Sequence, residues 1–306
     1  ISALTVTNFA ALADTQIAAL TATQLASVST AQVAALTETQ TGALTTTQVA
    51  ALSTTQVRNL SATNLSALDA TQAAALTATQ VANLTNTQIA ALSVGDVGEL
   101  TTTQIAALTQ SQVRALTATT LAALVDTQIA ALTATQVASL TTTNVTGLTE
   151  TQVGALTTTQ VAALTNSQVQ ALTTTNLSAL DATQVSALTT GQARAITATQ
   201  IDALTAADVA EFTATQLAAL TTTQVGALTA TNVASLAATQ VAAFASTQLA
   251  RFTTETLSAF DATQAAALTA TQVRGLTATQ VTALSATDVA EFNETQIGAL
   301  TRTQVQ

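Results

Sequence analysis

The chain has 306 residues, of which only 7% are charged; 6 Arg stand against 16 acidic residues, for a net charge of −10. It contains no Pro, Cys, Met, Trp, Tyr, His or Lys, which excludes thiol and imidazole catalysis, disulfides, Cys/His zinc sites, Schiff bases and a P-loop. The acidic balance excludes a basic groove for nucleic acid or an anionic membrane surface, and no apolar run approaches the ~20 residues of a membrane span.

The chain opens at Ile1-Ser2-Ala3, part-way through a repeat, as a mature product or an excerpt of something longer would. From Leu4 to Leu300 every eighth residue is apolar, which defines 38 octads with the consensus Leu-Thr-x-Thr-Gln-Val-Ala-Ala, seen at Leu44 to Ala51. Position 1 is Leu in 31 octads, position 2 is Thr or Ser in 30, and position 5 is Gln in 28. Position 6 is apolar in every octad except at Thr41. Because no insertion breaks this register, residues 1–306 read as one continuous array with no internal domain boundary.

Within one octad, Thr45 followed by Gln48 matches a capping box. The Thr hydroxyl accepts from the N3 amide, and the Gln reaches back to the cap amide. Leu44 and Val49 have the N′ and N4 spacing of a hydrophobic staple, and Ala50-Ala51 continue the turn with good helix propensity. The pattern therefore predicts one very short capped helix per octad. A continuous α-helix would turn about 800° per octad, so its Leu stripe would drift by roughly 80° each time and no partner could follow it. A β-solenoid is the alternative, since Thr and Val favour strands and Gln can form ladders. Against it, positions 1 and 6 would face opposite sides of a strand, and regular Gly, Asn or Asp corners are missing.

Departures from Gln at position 5 carry a second period. They fall at Asn8, Asn64, Thr120, Asn176, Asn232 and Asp288, every seventh octad, and near the midpoints at Asp96, Asn144, Asp208 and Thr256. The octad after each seventh loses its Thr cap, at Ala13, Asp69, Val125, Asp181, Ala237 and Asn293. Duplication of a 56-residue block explains the sevens but not the midpoints. A superhelix of about 3.5 octads per turn explains both, by the logic of the 3.5-residue seam of a coiled coil. The stripe would mark contact with a neighbouring chain or with the array's own groove.

Acidic residues recur as trios: Asp69, Asp96 and Glu99; Asp181, Asp208 and Glu211; Asp261, Asp288 and Glu291. Clustered carboxylates suit Ca²⁺, but each first Asp occupies a cap position and each second Asp sits at N3 beside the positive helix end. Caps and solubility are the preferred reading, with no catalytic, cofactor-binding or metal site assigned. Arg58, Arg114, Arg194 and Arg274, all at position 7, read as solvated or paired with acids. Phe212, Phe244, Phe252, Phe260 and Phe292 replace Leu at position 1 and read as core thickening, an aromatic cage being the alternative. Gln304-Val305-Gln306 ends within an octad without an atypical capping repeat. Uncapped ends can stack head-to-tail, which generates filaments when the contact does not close.

The Thr-x-Thr spacing resembles that of insect ice-binding β-solenoids, a resemblance limited to the dipeptide spacing. As a whole the octads resemble the Leu-Thr-x-x-Gln-Val-x-Ala tracts of large secreted, adhesin-like bacterial repeat proteins. That resemblance implies an extracellular or cell-surface setting and a scaffolding role, and it supplies no catalytic residues. The expectation is an all-α repeat solenoid that is not an enzyme. It would form a filament or surface scaffold by head-to-tail and lateral self-association, with itself as partner. The alternative is a binding module, for ice or as an adhesin stalk with a Thr-rich surface.

Overall fold

The computed structural model describes residues 1–306 and contains 38 α-helices, α1 (Val6–Ala10) to α38 (Arg302–Val305), one in each octad, so that helix αn belongs to octad n. No strand forms anywhere. Helices run from four residues, as in α28 (Thr222–Val225), to six, as in α6 (Thr46–Ala51). The joint between consecutive helices is two to four residues long and always includes positions 1 and 2. Leu52 (φ −60°, ψ 135°) and Thr45 (φ −74°, ψ 158°) are both extended, and the next helix begins immediately.

A helix of five residues consists almost entirely of orphan ends, since four N–H groups at one terminus and four carbonyls at the other lack intrahelical partners. Isolated helices of this length do not form in water. Two kinds of interaction make them possible here. The first is burial of positions 1 and 6 on one side of each helix. Val49, Val81 and Val137 are 0% exposed at position 6, and Leu44, Leu60 and Leu132 are buried beside them at position 1. Extended joints are what let residues five apart reach one core, which a strand could not do. The polar exception at position 6, Thr41, is equally buried, and its hydroxyl donates to the Thr37 carbonyl four residues back at 2.9 Å.

The second is packing between helices that are not consecutive. The chain forms two compact units, Ile1–Ala155 and Leu156–Gln306, built on the same rule. In the first unit, α3 (Ala22–Ala26) packs on α6, and α6 packs on α9 (Ala70–Ala75). In the second, α24 (Thr190–Ala195) packs on α27 (Ala214–Ala219). Within each unit these helices meet the third one along, so partners lie a constant distance away in sequence, as in other repeat solenoids.

The closest of these approaches joins position 8 of one octad to position 3 of the octad three before it. A Cβ at Gly147 would lie 2.8 Å from that of Ala118, and one at Gly275 would lie 2.5 Å from that of Ser246. Gly98, at position 7, has nothing within 4 Å of such a Cβ. Gly98→Ala is expected to stabilise the chain by about 0.5–1 kcal/mol through helix propensity. Gly147→Ala and Gly275→Ala are expected to destabilise it by about 1–3 kcal/mol through overpacking. Urea denaturation of the three variants measures both signs, and equal effects at all three positions would refute the close approach.

Candidate functional site

The recurrent side chain that makes the most bonds between octads is the position-5 glutamine. Gln48 shows all of its roles. Its Oε1 accepts from the Thr45 N–H at 2.7 Å, while its own N–H donates to Thr45 Oγ1 at 3.2 Å, completing the capping box. Its Nε2 then donates away from its own helix, to the carbonyls of Ile17 (2.9 Å), Ala18 (3.2 Å) and Leu20 (2.7 Å). Those carbonyls close α2 (Asp14–Ala18). One side chain thus satisfies a donor at the start of its own helix and acceptors at the end of a helix four octads earlier. The sequence predicted the first role and missed the second.

The same bonds recur with fixed offsets. Gln80 reaches Val49 and Leu52, 31 and 28 residues back, at 2.9 and 2.7 Å. In the second unit, Gln216 reaches Val185 and Leu188 at the same two offsets, both at 2.7 Å. These amides are buried, 2–3% exposed at Gln48, Gln80 and Gln216, where an unbonded amide would be costly. Positive and negative helix ends also meet at each clip, an arrangement the peptide dipoles favour.

The departures from Gln can now be read through this clip. Asn64, Asn144 and Asn232 are one methylene shorter and keep the bond 28 residues back, to Leu36, Leu116 and Leu204 at 2.8, 2.9 and 3.1 Å. Thr120 and Thr256 instead hydrogen-bond the cap residues Thr117 and Thr253 at the start of their own helices. Asn64, Thr120, Asn176, Asn232 and Thr256 are all buried, so at these positions the departure changes the bonding inside the array, whereas Asn8 is exposed and Asp96, Asp208 and Asp288 are half-buried. Loss of the cap hydroxyl in the following octads removes only half of the box. The Ala13, Val125 and Ala237 amides still donate to Gln16, Gln128 and Gln240.

Asp at position 5 cannot donate, and the carbonyls it faces would repel it. The structure supplies a serine instead. Ser66, Ser178 and Ser258 donate to Asp96, Asp208 and Asp288 at 2.6, 2.6 and 3.0 Å, each from 30 residues back. The sequence contains this signal as the coincidence of Ser at position 7 with Asp 30 residues later. The cap aspartates Asp69, Asp181 and Asp261 accept from the amides of Gln72, Gln184 and Gln264. No three carboxylates converge on a point where a metal ion could be held. The first two trios do interact electrostatically. Burial raises Glu99 above its ordinary value, helped by the charges of Asp96 and Asp69. Burial likewise raises Glu211, helped by Asp208 and Asp181, and Glu211 Oε2 is enclosed without a hydrogen-bond partner. Burial also works to raise Asp96, but the hydrogen bonds from Ser66 and Ser93 outweigh it and hold Asp96 below its ordinary value. Asp288 is lowered, first by the Ser285 backbone bond.

The aromatic residues form no open cage. Phe244, Phe252 and Phe260 stack edge to face, with centroids 5.3 and 6.0 Å apart, and all three are buried. This is the geometry aromatic pairs prefer in a core. Arg114 lies outside, in a shallow groove with Asn86 and Ser111.

Two outcomes test the clip and the trios. Gln80→Asn is expected to be the mildest change at that position, because it can keep the bond to Leu52. Gln80→Leu strands one amide and two carbonyls and should lose about 2–4 kcal/mol in urea denaturation; an equal effect of both would refute the clip. For the trios, a carboxyl raised in the folded chain binds its proton before the unfolded chain does. Stability is therefore expected to rise as pH falls from neutral through the folded pKa values of Glu99 and Glu211 towards 4.5. Asp96 and Asp288 act oppositely, and their contribution is present above 3.8 and lost as pH falls through their lower folded values. Calorimetry of the chain and of Glu211→Gln should show the mildly acidic rise reduced in the variant. No protein-family model and no curated protein matches this chain.

Proposed function

We propose that the chain is a non-enzymatic structural repeat protein whose octads wind into a superhelix of about 3.5 octads per turn. It would build an extracellular filament or cell-surface scaffold by head-to-tail and lateral self-association. The observation that carries this reading is the constant offset of the glutamine clip. A bond made repeatedly to a carbonyl 28 residues back, as by Gln48, Gln80 and Gln216, is a rule that each octad applies to the next without any change of sequence. Since an octad is eight residues, an offset of 28 corresponds to the 3.5-octad period read from the departures. Such a rule contains no signal that limits growth, which suits a building material.

The chemistry agrees with this reading. The recurrent Thr at position 2 and Gln at position 5 are engaged in capping and clipping, whereas the Thr that recurs at position 4, as at Thr47 and Thr135, is exposed. The Thr-rich binding surface has less support, because the first hydroxyl of each Thr-x-Thr pair accepts from an N3 amide, as Thr45 and Thr133 do. It is therefore not a free member of a regular array. The extracellular setting rests on the likeness to secreted repeat tracts alone.

Electron microscopy of the purified chain at rising concentration tests the proposal. Filaments with an axial repeat commensurate with 28 or 56 residues are the expected result. Thermal hysteresis by a protein that remains monomeric at every concentration would overturn it in favour of the ice-binding module.

A further inference from the structure

The arginines stand apart from the acids. Arg58 and Arg114 in the first unit, and Arg194, Arg251 and Arg274 in the second, are exposed, and none of these guanidinium groups forms an ion pair or hydrogen bond within the chain. The acids adjoin one another instead. Glu99 feels the charges of Asp96 and Asp69, and Glu211 those of Asp208 and Asp181, with no arginine acting on either. Sequence intervals separate the two charges by about half of the clip offset. The clip recurs at 28 residues, and each of these arginines is followed by an aspartate 10 to 14 residues on. Asp69 follows Arg58, Asp126 follows Arg114, Asp208 follows Arg194, Asp261 follows Arg251 and Asp288 follows Arg274. Arg58 and Arg114 are themselves 56 residues apart, twice the clip offset. The acids of the first unit, Asp14, Glu38, Asp69, Asp96, Asp126 and Glu150, fall in octads 2, 5, 9, 12, 16 and 19. Those octads advance alternately by three and four, as a straight stripe on a coil of 3.5 octads must. In the second unit Asp202 and Glu255 lie nearer the arginines than the other acids do.

From this segregation, which rests on the winding and the lateral self-association proposed above, we infer that the arginine stripe of one copy docks the aspartate stripe of a second copy of this chain, side by side and parallel. Half a turn of the coil separates the stripes, so an arginine cannot reach across the core to the aspartate that follows it. A parallel neighbour presents that same aspartate directly. Because the interval is nearly constant, one axial slip of about half a turn or less brings Arg58 to Asp69 and Arg114 to Asp126 together. The same slip serves the arginines of the second unit. A single surface ion pair is weak, but pairs repeated at one interval along the chain act multivalently. The contact is heterologous, each copy using a different side. It leaves one stripe free on each outer copy and so extends into a sheet. Acids outnumber arginines by 16 to 6, so the sheet keeps uncompensated carboxylates that hold it in water.

Sedimentation velocity of the full chain at low salt and at about 1 M salt, where the Debye length is about 3 Å, tests this contact. Electron microscopy of the same samples reports whether filaments lie singly or side by side. The parent is expected to associate sideways at low salt and to separate at high salt. R58E/R114E reverses the arginine stripe and is expected to associate at least about tenfold more weakly. D69S/D126R discharges the opposite stripe and keeps a capping hydroxyl at residue 69. It adds three units of charge, taking the net from −10 to −7, so general repulsion alone predicts tighter association, whereas the stripes predict a loss of at least about tenfold. R114E/D126R leaves the net charge at −10 and is expected to stay within about threefold of the parent, because the reversed pair can meet only between copies. The substituted side chains are all exposed, and each variant is expected to keep the helical circular dichroism of the parent. Tighter association of D69S/D126R, or R114E/D126R as weak as R58E/R114E, would overturn the stripe contact. Single filaments without salt-sensitive pairing would overturn it and leave the head-to-tail reading standing. Salt-sensitive pairing without filaments would support the stripes and overturn the head-to-tail reading. A parent that stays monomeric in both salts would overturn the two together.

Discussion

The fold depends on one side chain having two ends. A helix of five residues cannot satisfy its own backbone, and no run of Ala and Val would persuade it to form alone. Glutamine at N3 resolves this because its amide holds an acceptor and a donor about one bond apart. The acceptor faces the cap amide of its own helix, and the donor faces the terminal carbonyls of another, as at Gln48. Neither function suffices without the other. A capping box alone leaves the carbonyl ends buried and unpaired, and a clip without the box leaves the glutamine free to rotate out of position.

The rest of the composition follows from that requirement. Position 2 must be extended and must offer a short acceptor, which Thr and Ser do best, with Asp taking the place at Asp69, Asp181 and Asp261. Proline at position 2 would remove the N–H that Gln Oε1 receives. Position 6 lies where neighbouring helices meet, so it is closed to solvent along most of the chain and, except at Thr41, is apolar, from Ala73 to Leu121 and Phe9. Larger rings are accommodated at position 1, and the Phe244, Phe252 and Phe260 series shows that they fit when they occur as a group.

The local part of this architecture was legible in the sequence, and the reason is physical. Thr45 and Gln48 interact within one turn, so their spacing alone identifies the box, and Leu44 with Val49 marks the buried side. What could not be read directly was the partner of Gln48 Nε2. It is a set of backbone carbonyls, which carry no residue identity, and it lies 28 to 31 residues away. A bond to a carbonyl leaves no co-varying side chain. It becomes visible only where the donor fails, and the failures at Asp96, Asp208 and Asp288 did leave a trace. Each is matched by a serine 30 residues before it, because only there must a side chain replace the missing donor. The departures were read in the sequence as a stripe in contact with a neighbouring chain or with the array's own groove, since shortening Gln to Asn looks like a change of environment. It is a change of reach. Asn64 keeps the nearer acceptor, at Leu36.

The acidic trios show how such an array absorbs a misfit. Replacing Gln by Asp reverses one end of the clip, and a new serine donor restores a hydrogen bond. The carboxylate then sits close enough to Glu99 or Glu211 to raise it. In a globular core an uncompensated charge of this kind would threaten the whole domain. In an array whose stability is roughly a sum over units and their contacts, the penalty is confined to the octads that share the clip. Neighbouring octads, each carrying an intact box and clip, hold the register on both sides. That locality is why three near-copies of the same misfit can coexist with an unbroken octad register.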